Sequence, residues 1–246
     1  MRATEVLLLV VVTAMTVGLI VVSHWSSGVI IIPGLSPAIN KQLAYQSITL
    51  LGTGLFLLLL WRVKRTPFLT YFGRGRISAG ILPEPWVGIN PKPGETWWHY
   101  GRNLAIIITG VTALVMYFQV VHGQVFPWER CLALLPFSLV FALTNSFVEE
   151  AITRLGLVVV LKDVLTDKAI PLVSALLFGM VHYWGHPGGL IGVVVAGFLG
   201  WLLAKSILET RGIFWAWLIH FLQDVIIFWA ALHGISACCR VRGKVR

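Results

Sequence analysis

The chain has 246 residues, of which 57% are hydrophobic and 12% are charged, and its mean hydropathy is +0.85. Because a soluble domain carries about 25% charged residues, this composition excludes a soluble globular protein and predicts an integral membrane protein with a single membrane-embedded domain over residues 1–246. The formal net charge of +9 does not predict a nucleic-acid partner. The basic residues lie between apolar runs, where they orient the chain and contact the lipid bilayer.

Seven apolar runs follow one another along the chain. A helix needs about 20 mostly apolar residues to cross a bilayer, and runs that are continuous rather than alternating favour helices over a closed barrel. The sequence therefore predicts an all-α fold, a multi-pass transmembrane helical bundle of about seven to eight helices. The candidate spans are 4–24, 43–61, 103–121, 131–161, 170–184, 190–208 and 213–233.

Two of these runs allow more than one interpretation. Residues 4–24 follow Arg2 and could be a signal peptide, but their apolar core is longer than the usual ~7–15 residues and no clear cleavage site follows, so we expect a retained anchor. Residues 131–161 are too long for one upright span. We expect either a long tilted helix or a helix that is broken near Pro136.

Small residues recur in the sixth run at four-residue spacing, at Gly192, Ala196 and Gly200. Such a stripe allows the backbones of two helices in lipid to approach closely. We expect this face to pack against another helix, and it indicates no chemistry.

The longest polar segment, residues 62–102, contains five prolines and several arginines, and we expect a loop on the membrane surface. At its end, Trp97, Trp98 and Tyr100 suit the aromatic belt of a membrane interface. If the N-terminus is cytoplasmic, 13 of the 19 Lys and Arg residues lie on the cytoplasmic side. The four basic residues of the C-terminal tail lie on the other side, unless the helix count differs by one or the last run does not cross fully. We therefore expect an integral protein of the bacterial inner membrane in this orientation.

The stretch TNSFVEEAITRLG, residues 144–156, places charges between two apolar runs. A charge deep in the bilayer costs about 2.5–3.5 kcal/mol and marks a functional candidate. On a helix, Glu150 and Arg154 share a face in the order that favours an ion pair. Glu149 points about 100° away and is left as a candidate general base. The alternative is a helix end at the interface with ordinary solvated charges.

Two later runs carry further polar side chains at helical spacing. FGMVH contains Phe178 and His182, and HFLQD contains His220 and Asp224, each pair four residues apart. A carboxylate beside an imidazole can orient the ring and fix its tautomer. The alternatives are a histidine satisfied in the core and a hydrogen-bonded pair that only packs helices. His186 lies four residues after His182, as in some metal sites, but a glycine and a proline flank it and we expect the helix to end there.

If these runs converge in one bundle, they bring together two acids and two imidazoles. Such a set can hold and activate a water molecule or bind a divalent metal ion. The candidate site residues are Glu149, His182, His220 and Asp224.

The ordered set EEAITR, FGMVH and HFLQD resembles the intramembrane proteases of the CAAX protease and bacteriocin-processing (CPBP, or Abi) family, which includes the type II CAAX prenyl endopeptidases. The family pattern is Glu-Glu-x-x-x-Arg, then Phe-x-x-x-His, then His-x-x-x-Asn or Asp, on separate transmembrane helices. All three motifs occur here in this order within a core of about 130–233, and the first 130 residues carry no matching motif.

The resemblance implies a glutamic-type endopeptidase that needs no cofactor. It implies that Glu149 is the general base and that His182 helps to hold the attacking water. The oxyanion side would consist of His220 and Asp224. The supporting residues would be Glu150, Arg154 and Phe178. A zinc peptidase is the alternative mechanism, because mixed nitrogen and oxygen ligands suit zinc. Its ligands would be Glu149, His182, His220 and Asp224.

The sequence departs from the family pattern in two places. The first concerns which substrate is cleaved, and the second concerns the role assigned to Asp224. The family often has an aromatic residue before the arginine and a glycine after it, whereas Thr153 and Leu155 stand here, with Gly156 one position later. This indicates a divergent branch. Asp224 stands where members with prenylated substrates tend to have Asn, and an ionised Asp cannot donate a hydrogen bond to an oxyanion.

The expected partner is a membrane-anchored or lipidated protein or peptide substrate. A prenylated C-terminal motif, a bacteriocin leader and a sorting tail at a C-terminal anchor all fit the resemblance. The rival class is a non-catalytic membrane protein for immunity, scaffolding or transport, because intramembrane Glu, His and Asp also serve proton relays.

Overall fold

The fold is helical throughout the part of the chain that the structure describes. In this computed structural model that part is residues 2–123, 128–184 and 188–242, without the side chains of 128, 130 and 234–242. The described backbone contains two isolated β-bridges and no strand. The predicted all-α class is confirmed.

Nine α-helices make up the described bundle, and short 3-10 or π-helical turns extend or join several of them. Within the described residues, six segments are long and apolar enough to cross a membrane, and Ala169–Trp184 is apolar but shorter. The multi-pass bundle is confirmed. In chain order the helices are α1 (Ala3–Trp25), α2 (Pro37–Val63), α3 (Arg65–Tyr71), α4 (Trp97–Met116), α5 (Trp128–Glu150), α6 (Gly156–Leu161), α7 (Ala169–Val181), α8 (Gly189–Thr210) and α9 (Phe214–Arg242).

The long fourth run forms one continuous helical segment. α5 passes through Pro136 without ending, since neighbouring helices in a membrane can compensate for the hydrogen bond that a proline removes. The predicted break near Pro136 is wrong, and the long helix is the correct alternative. The irregular turn lies later, at the π-helical residues Ala151–Leu155 that join α5 to α6. Such turns are rare and often lie at functional sites.

α6 lies at the centre of the bundle. All of its residues are buried, and α1, α3, α7 and α8 pack around it. A helix that is apolar on every side belongs in a protein core or in a membrane. The π-helical turn directly before α6 is therefore also held deep inside the protein.

The predicted surface loop at 62–102 is shorter than expected. α2 continues to Val63, α3 follows it, and α4 already begins at Trp97. The Trp97 side chain is fully buried and its indole Nε1 donates a hydrogen bond to Glu209 Oε2 at 2.7 Å. Trp97 therefore packs inside the protein rather than on an exposed face, and its indole is satisfied by a partly buried carboxylate. Trp98 is 44% exposed and fits the expectation.

α7 and α8 pack backbone to backbone over small residues. Gly192, Ala196 and Gly200 are buried, and a Cβ added at Gly200 would lie 3.0 Å from the Ser174 carbonyl oxygen. A Cβ added at Gly179 would lie 2.7 Å from the Val193 carbonyl oxygen. The close packing expected from the small-residue stripe is present.

α1 is packed against the rest of the bundle. Leu8 and Val12 belong to the main hydrophobic core. Near its start, Glu5 Oε1 lies 3.2 Å from Lys64 Nζ, which also lies 3.1 Å from Asp163 Oδ2. One ammonium group therefore connects the beginning of α1, the end of α2 and the segment after α6.

Candidate active site

A fully buried ion pair lies where α5 meets the π-helical turn. Arg154 Nη1 lies 3.0 Å from Glu150 Oε1, and both side chains are 0% exposed. The same nitrogen donates to Thr153 Oγ1 at 2.9 Å. The guanidinium carbon lies 3.5 Å from the centroid of the Phe178 ring, a cation–π contact. The Arg154 charge is thus met by a carboxylate on its own helical segment and by an aromatic ring on α7.

Glu150 also orients His220 on α9. The distance from His220 Nδ1 to Glu150 Oε1 is 2.7 Å. Because this oxygen also contacts the Arg154 guanidinium, it acts as an acceptor and Nδ1 is the donor. The sequence suggested Asp224 for the orienting role, but Asp224 Oδ1 lies 3.6 Å from the other ring nitrogen, Nε2. The packing of α5 against α9 brings Glu150 rather than Asp224 to Nδ1, and a role for Asp224 beside Nε2 stays a prediction.

Glu149 points away from the ion pair into a cavity of about 230 Å³, here called the Glu149 cavity. The Glu149 side chain is 17% exposed, and His182 and Phe178 line the same cavity. The His182 Nδ1 lies 2.8 Å from the Phe178 carbonyl oxygen. A carbonyl only accepts, so Nδ1 donates and the neutral ring keeps Nε2 as an acceptor. Glu149 and His182 therefore present acceptor atoms to one space.

The first two helices form much of the wall of the Glu149 cavity, and no sequence motif indicated this. Tyr45 of α2 reaches the cavity, as does the second half of α1. The lining residues of α1 are Thr16, Leu19, Ile20, Ser23 and His24.

Asn145 connects the two acids and was missed by the sequence analysis. Its Nδ2 donates to Glu149 Oε1 at 3.0 Å and to Asp224 Oδ2 at 2.9 Å. The other oxygen of each acid faces His220 Nε2, at 3.7 Å from Glu149 Oε2 and 3.6 Å from Asp224 Oδ1. The sequence did contain an indication of this role. Asn145 is an amide in an apolar run, and it lies four residues before Glu149, so that the two side chains share one face of the helix.

The zinc alternative concerns the same four candidate residues and stays untested. Within the described ranges, no group of three or more His, Cys, Asp or Glu residues could hold a metal ion. Nδ1 of His220 donates to Glu150 and Nδ1 of His182 to a backbone carbonyl, so each neutral ring keeps Nε2 as its acceptor. His186 lies outside the described residues. Independence from a cofactor stays a prediction.

The comparison with protein families agrees with the three motifs. Residues 131–226 match the family model described as Rce1-like, type II CAAX prenyl endopeptidase Rce1-like. Residues 131–226 are Rce1-like. The resemblance to the CAAX protease family is therefore confirmed over this segment, and it implies protease activity in a membrane. Neither the curated proteins nor the solved structures include a match.

The Rce1-like segment contains the side chains described above from α5, the π-helical turn, α7 and α9, and it ends two residues after Asp224. It does not include α1 and α2, which supply Thr16 and Tyr45 to the wall of the Glu149 cavity. The acids and histidines thus belong to the matched segment. Part of the wall of the Glu149 cavity is formed by residues that precede this segment.

Proposed function

We propose that the chain is an intramembrane glutamic-type endopeptidase, which cleaves a peptide bond of a membrane-anchored or lipidated protein without a cofactor. The observation that carries this proposal is the arrangement around the Glu149 cavity: Glu149 and His182 face the cavity, while Glu150 is held in a separate buried pair with Arg154. The Rce1-like match supports the same activity.

The attacking water would lie between Glu149 and His182. Both offer hydrogen-bond acceptors, the carboxylate Oε2 of Glu149 and the Nε2 of His182. A water that donates one hydrogen to each acceptor turns a lone pair towards the substrate carbonyl. Glu149 then takes the proton as the oxygen attacks, which is general base catalysis.

His220 would act on the charge that develops in the transition state. Its Nδ1–H is held by Glu150, so Nε2 carries a hydrogen only when the ring is an imidazolium. In the proposal the ring is charged at this step, with the carboxylates of Glu149 and Asp224 on either side of Nε2. Asp224 accepts from Asn145 and has no hydrogen to donate while ionised. In this proposal the oxyanion donor is His220 alone.

The proposed orientation in the membrane is supported by the basic end of the bundle, the end at which Lys64 contacts Glu5 and Asp163. The segment after α3 lies at this end as well. Its Arg76 N donates to the carbonyl of Thr210 at 2.7 Å, and Thr210 is the last residue of α8, which returns to the end at which α7 starts. We propose that the basic end, and with it the N-terminus, faces the cytoplasm of a bacterial inner membrane. Its basic residues are Arg2, Arg62, Lys64, Arg65, Arg74, Arg76, Lys92, Arg102, Lys162, Lys168, Lys205 and Arg211.

The general base is tested with Glu149→Gln. Membrane proteins from cells that carry the parent or the variant are compared by mass spectrometry, and a precursor that accumulates uncut is then incubated with purified protein in lipid nanodiscs. We expect kcat to fall by about 100-fold or more, because the amide cannot take the proton. The unfolding midpoint should stay near that of the parent, since Glu149 is partly open to the cavity.

Glu129→Gln is the matched control, because this exposed carboxylate lies on the same helix and should leave kcat unchanged. Normal turnover by the Glu149→Gln protein would contradict the glutamate base. Loss of turnover on chelation, with recovery on adding zinc, would select the zinc peptidase. An unchanged cellular phenotype in a Glu149→Gln/His182→Ala strain would select a non-catalytic role.

A further inference from the structure

The Glu149 cavity opens at one end of the bundle. Its lining includes Ser23 and His24 from the last turn of α1. α1 begins at the basic end, where Glu5 contacts Lys64. Its 23 residues rise about 1.5 Å each, roughly the thickness of a bilayer. The last turn of α1 therefore lies at the opposite surface of the membrane.

The other wall of the opening leads to the same surface. α7 starts one residue after Lys168 of the basic end and ends at Val181, and the cavity lining continues to Trp184. Trp184 is 73% exposed and Tyr183 is 49% exposed. Exposed aromatic side chains of this kind sit at the membrane–water interface.

A packed segment separates Glu149 from the basic end. The π-helical turn and α6 lie between Glu149 and the basic end, and all of their residues are buried. Arg154 fills part of this region together with Phe178. A peptide that arrived along this segment would have to displace buried side chains, and the cavity of about 470 Å³ at the basic end shares no lining residue with the Glu149 cavity.

We infer that the substrate reaches Glu149 from the non-cytoplasmic side, so that it is a membrane-anchored protein whose cleaved segment lies outside the cytoplasm. The inference rests on the proposed function and on the cytoplasmic basic end. The opening combines the polar side chains of Ser23 and His24 with the apolar ones of Leu19 and Trp184. These surroundings suit an extended peptide next to its own membrane anchor. A lipidated tail on the cytoplasmic face would be separated from Glu149 by the buried π-helical turn and α6.

The side of the opening is tested by labelling single cysteines. Ser27, exposed and three residues beyond His24, and Lys92, exposed at the basic end, are each changed to Cys in a protein whose Cys131, Cys238 and Cys239 are Ser. Intact spheroplasts are treated with a membrane-impermeant maleimide. We expect Ser27→Cys to react in intact spheroplasts and Lys92→Cys only after lysis. The reverse pattern would overturn the inference.

The path of the substrate is tested on the same variants in nanodiscs, with the accumulated precursor as substrate. A bulky maleimide adduct at Ser27→Cys should slow cleavage about tenfold or more relative to the same variant without the label, whereas the adduct at Lys92→Cys should change it less than about twofold. Slowing only by the Lys92→Cys adduct would overturn the inference and leave the proposed function intact. Equal cleavage by the parent and by Glu149→Gln would instead overturn the proposed function.

Discussion

At the residue scale, Asn145 holds two carboxylates together that would otherwise repel each other. Glu149 and Asp224 both face Nε2 of His220, and two carboxylates at one site repel each other. The neutral amide of Asn145 donates to both of them and so holds them together without adding charge. Asn145 is a positioning residue in this arrangement, because its amide hydrogens are used within the protein.

Asn145→Asp and Asn145→Ala separate positioning from packing. Asp keeps the volume of Asn but replaces the donors by a third carboxylate, so we expect kcat to fall by about 100-fold, against about tenfold for Ala, with KM changed less than about threefold in both. Steady-state kinetics on the accumulated precursor provide the measurement.

Ser146→Ala is the control for these kinetics. Ser146 is also buried, but its hydroxyl donates only to carbonyl groups of its own helix, and kcat should be unchanged. If Asn145 served only to fill space, Asp would be the milder substitution, and that order of effects would contradict the positioning role.

The sequence predicted the local part of this site but not the contacts between helices. The four-residue spacing of Glu150 and Arg154 was enough to predict their pair, which the structure has at 3.0 Å. The hydrogen bond between Glu150 and His220 joins residues 70 positions apart. It depends on how α5 and α9 slide and turn against each other, which no spacing within one helix encodes.

At the element scale, hydropathy predicted where the helices lie, but not where their geometry departs from a regular α-helix or where a side chain is buried against another part of the chain. The spans of α1, α2, α4, α8 and the long fourth run agree with their apolar runs, because lipid requires helices of about 20 apolar residues. The π-helical turn and the buried Trp97 were not predictable. Both depend on neighbours from other parts of the chain, which a periodicity does not contain.

Gly179→Ala tests the contact between α7 and α8. The added Cβ would lie 2.7 Å from the Val193 carbonyl oxygen, so the two backbones must separate, and we expect a loss of about 1–3 kcal/mol in the free energy of unfolding. Unfolding by titration with a denaturing detergent measures the change.

Gly110→Ala on α4 is the matched control, since an added Cβ there meets nothing within 4 Å. Replacing an unhindered helical glycine removes freedom from the unfolded chain, and a gain of up to about 1 kcal/mol is expected. Equal effects of the two substitutions would show that the contact between α7 and α8 is not tight.

At the scale of the whole molecule, Lys64 connects parts that are far apart in sequence. Burial alone lowers the Lys64 pKa, but the hydrogen bonds and charges of Asp163 and Glu5 outweigh it, and the pKa is raised above its ordinary value of 10.5. A base with a raised pKa stabilises the fold fully below its unfolded pKa and loses that contribution as the pH rises through the folded pKa.

The stability that depends on Lys64 should therefore disappear in alkaline solution. Between about pH 8 and 10, Lys64→Gln should cost about 1 kcal/mol, since the contacts are partly exposed. The variant and the parent should converge only once the pH has risen through the raised pKa of Lys64. Detergent unfolding across this range gives the comparison, with Lys92→Gln as a control. A difference that stays constant up to the highest pH would contradict an ionic contribution.

The first two helices contribute to the candidate site although they carry none of the three motifs. The motifs are confined to the last part of the chain, yet α1 and α2 form a wall of the Glu149 cavity. Their contribution depends on shape and depth in the membrane rather than on charged side chains. An apolar helix that lines a cavity has the same composition as one that faces lipid, so the sequence alone could not distinguish them.

The π-helical turn also affects how relatives of this chain can be recognised. The family that the motifs resemble often has a glycine directly after the arginine, whereas here Gly156 stands one residue later. The glycine is required by packing, since an added Cβ would lie 2.9 Å from Phe56 Cζ. A π-helical turn takes up an additional residue without ending the helix. A sequence pattern with a fixed distance between arginine and glycine would therefore miss chains of this architecture, whereas one based on the spacing from Glu149 to Arg154 would detect them.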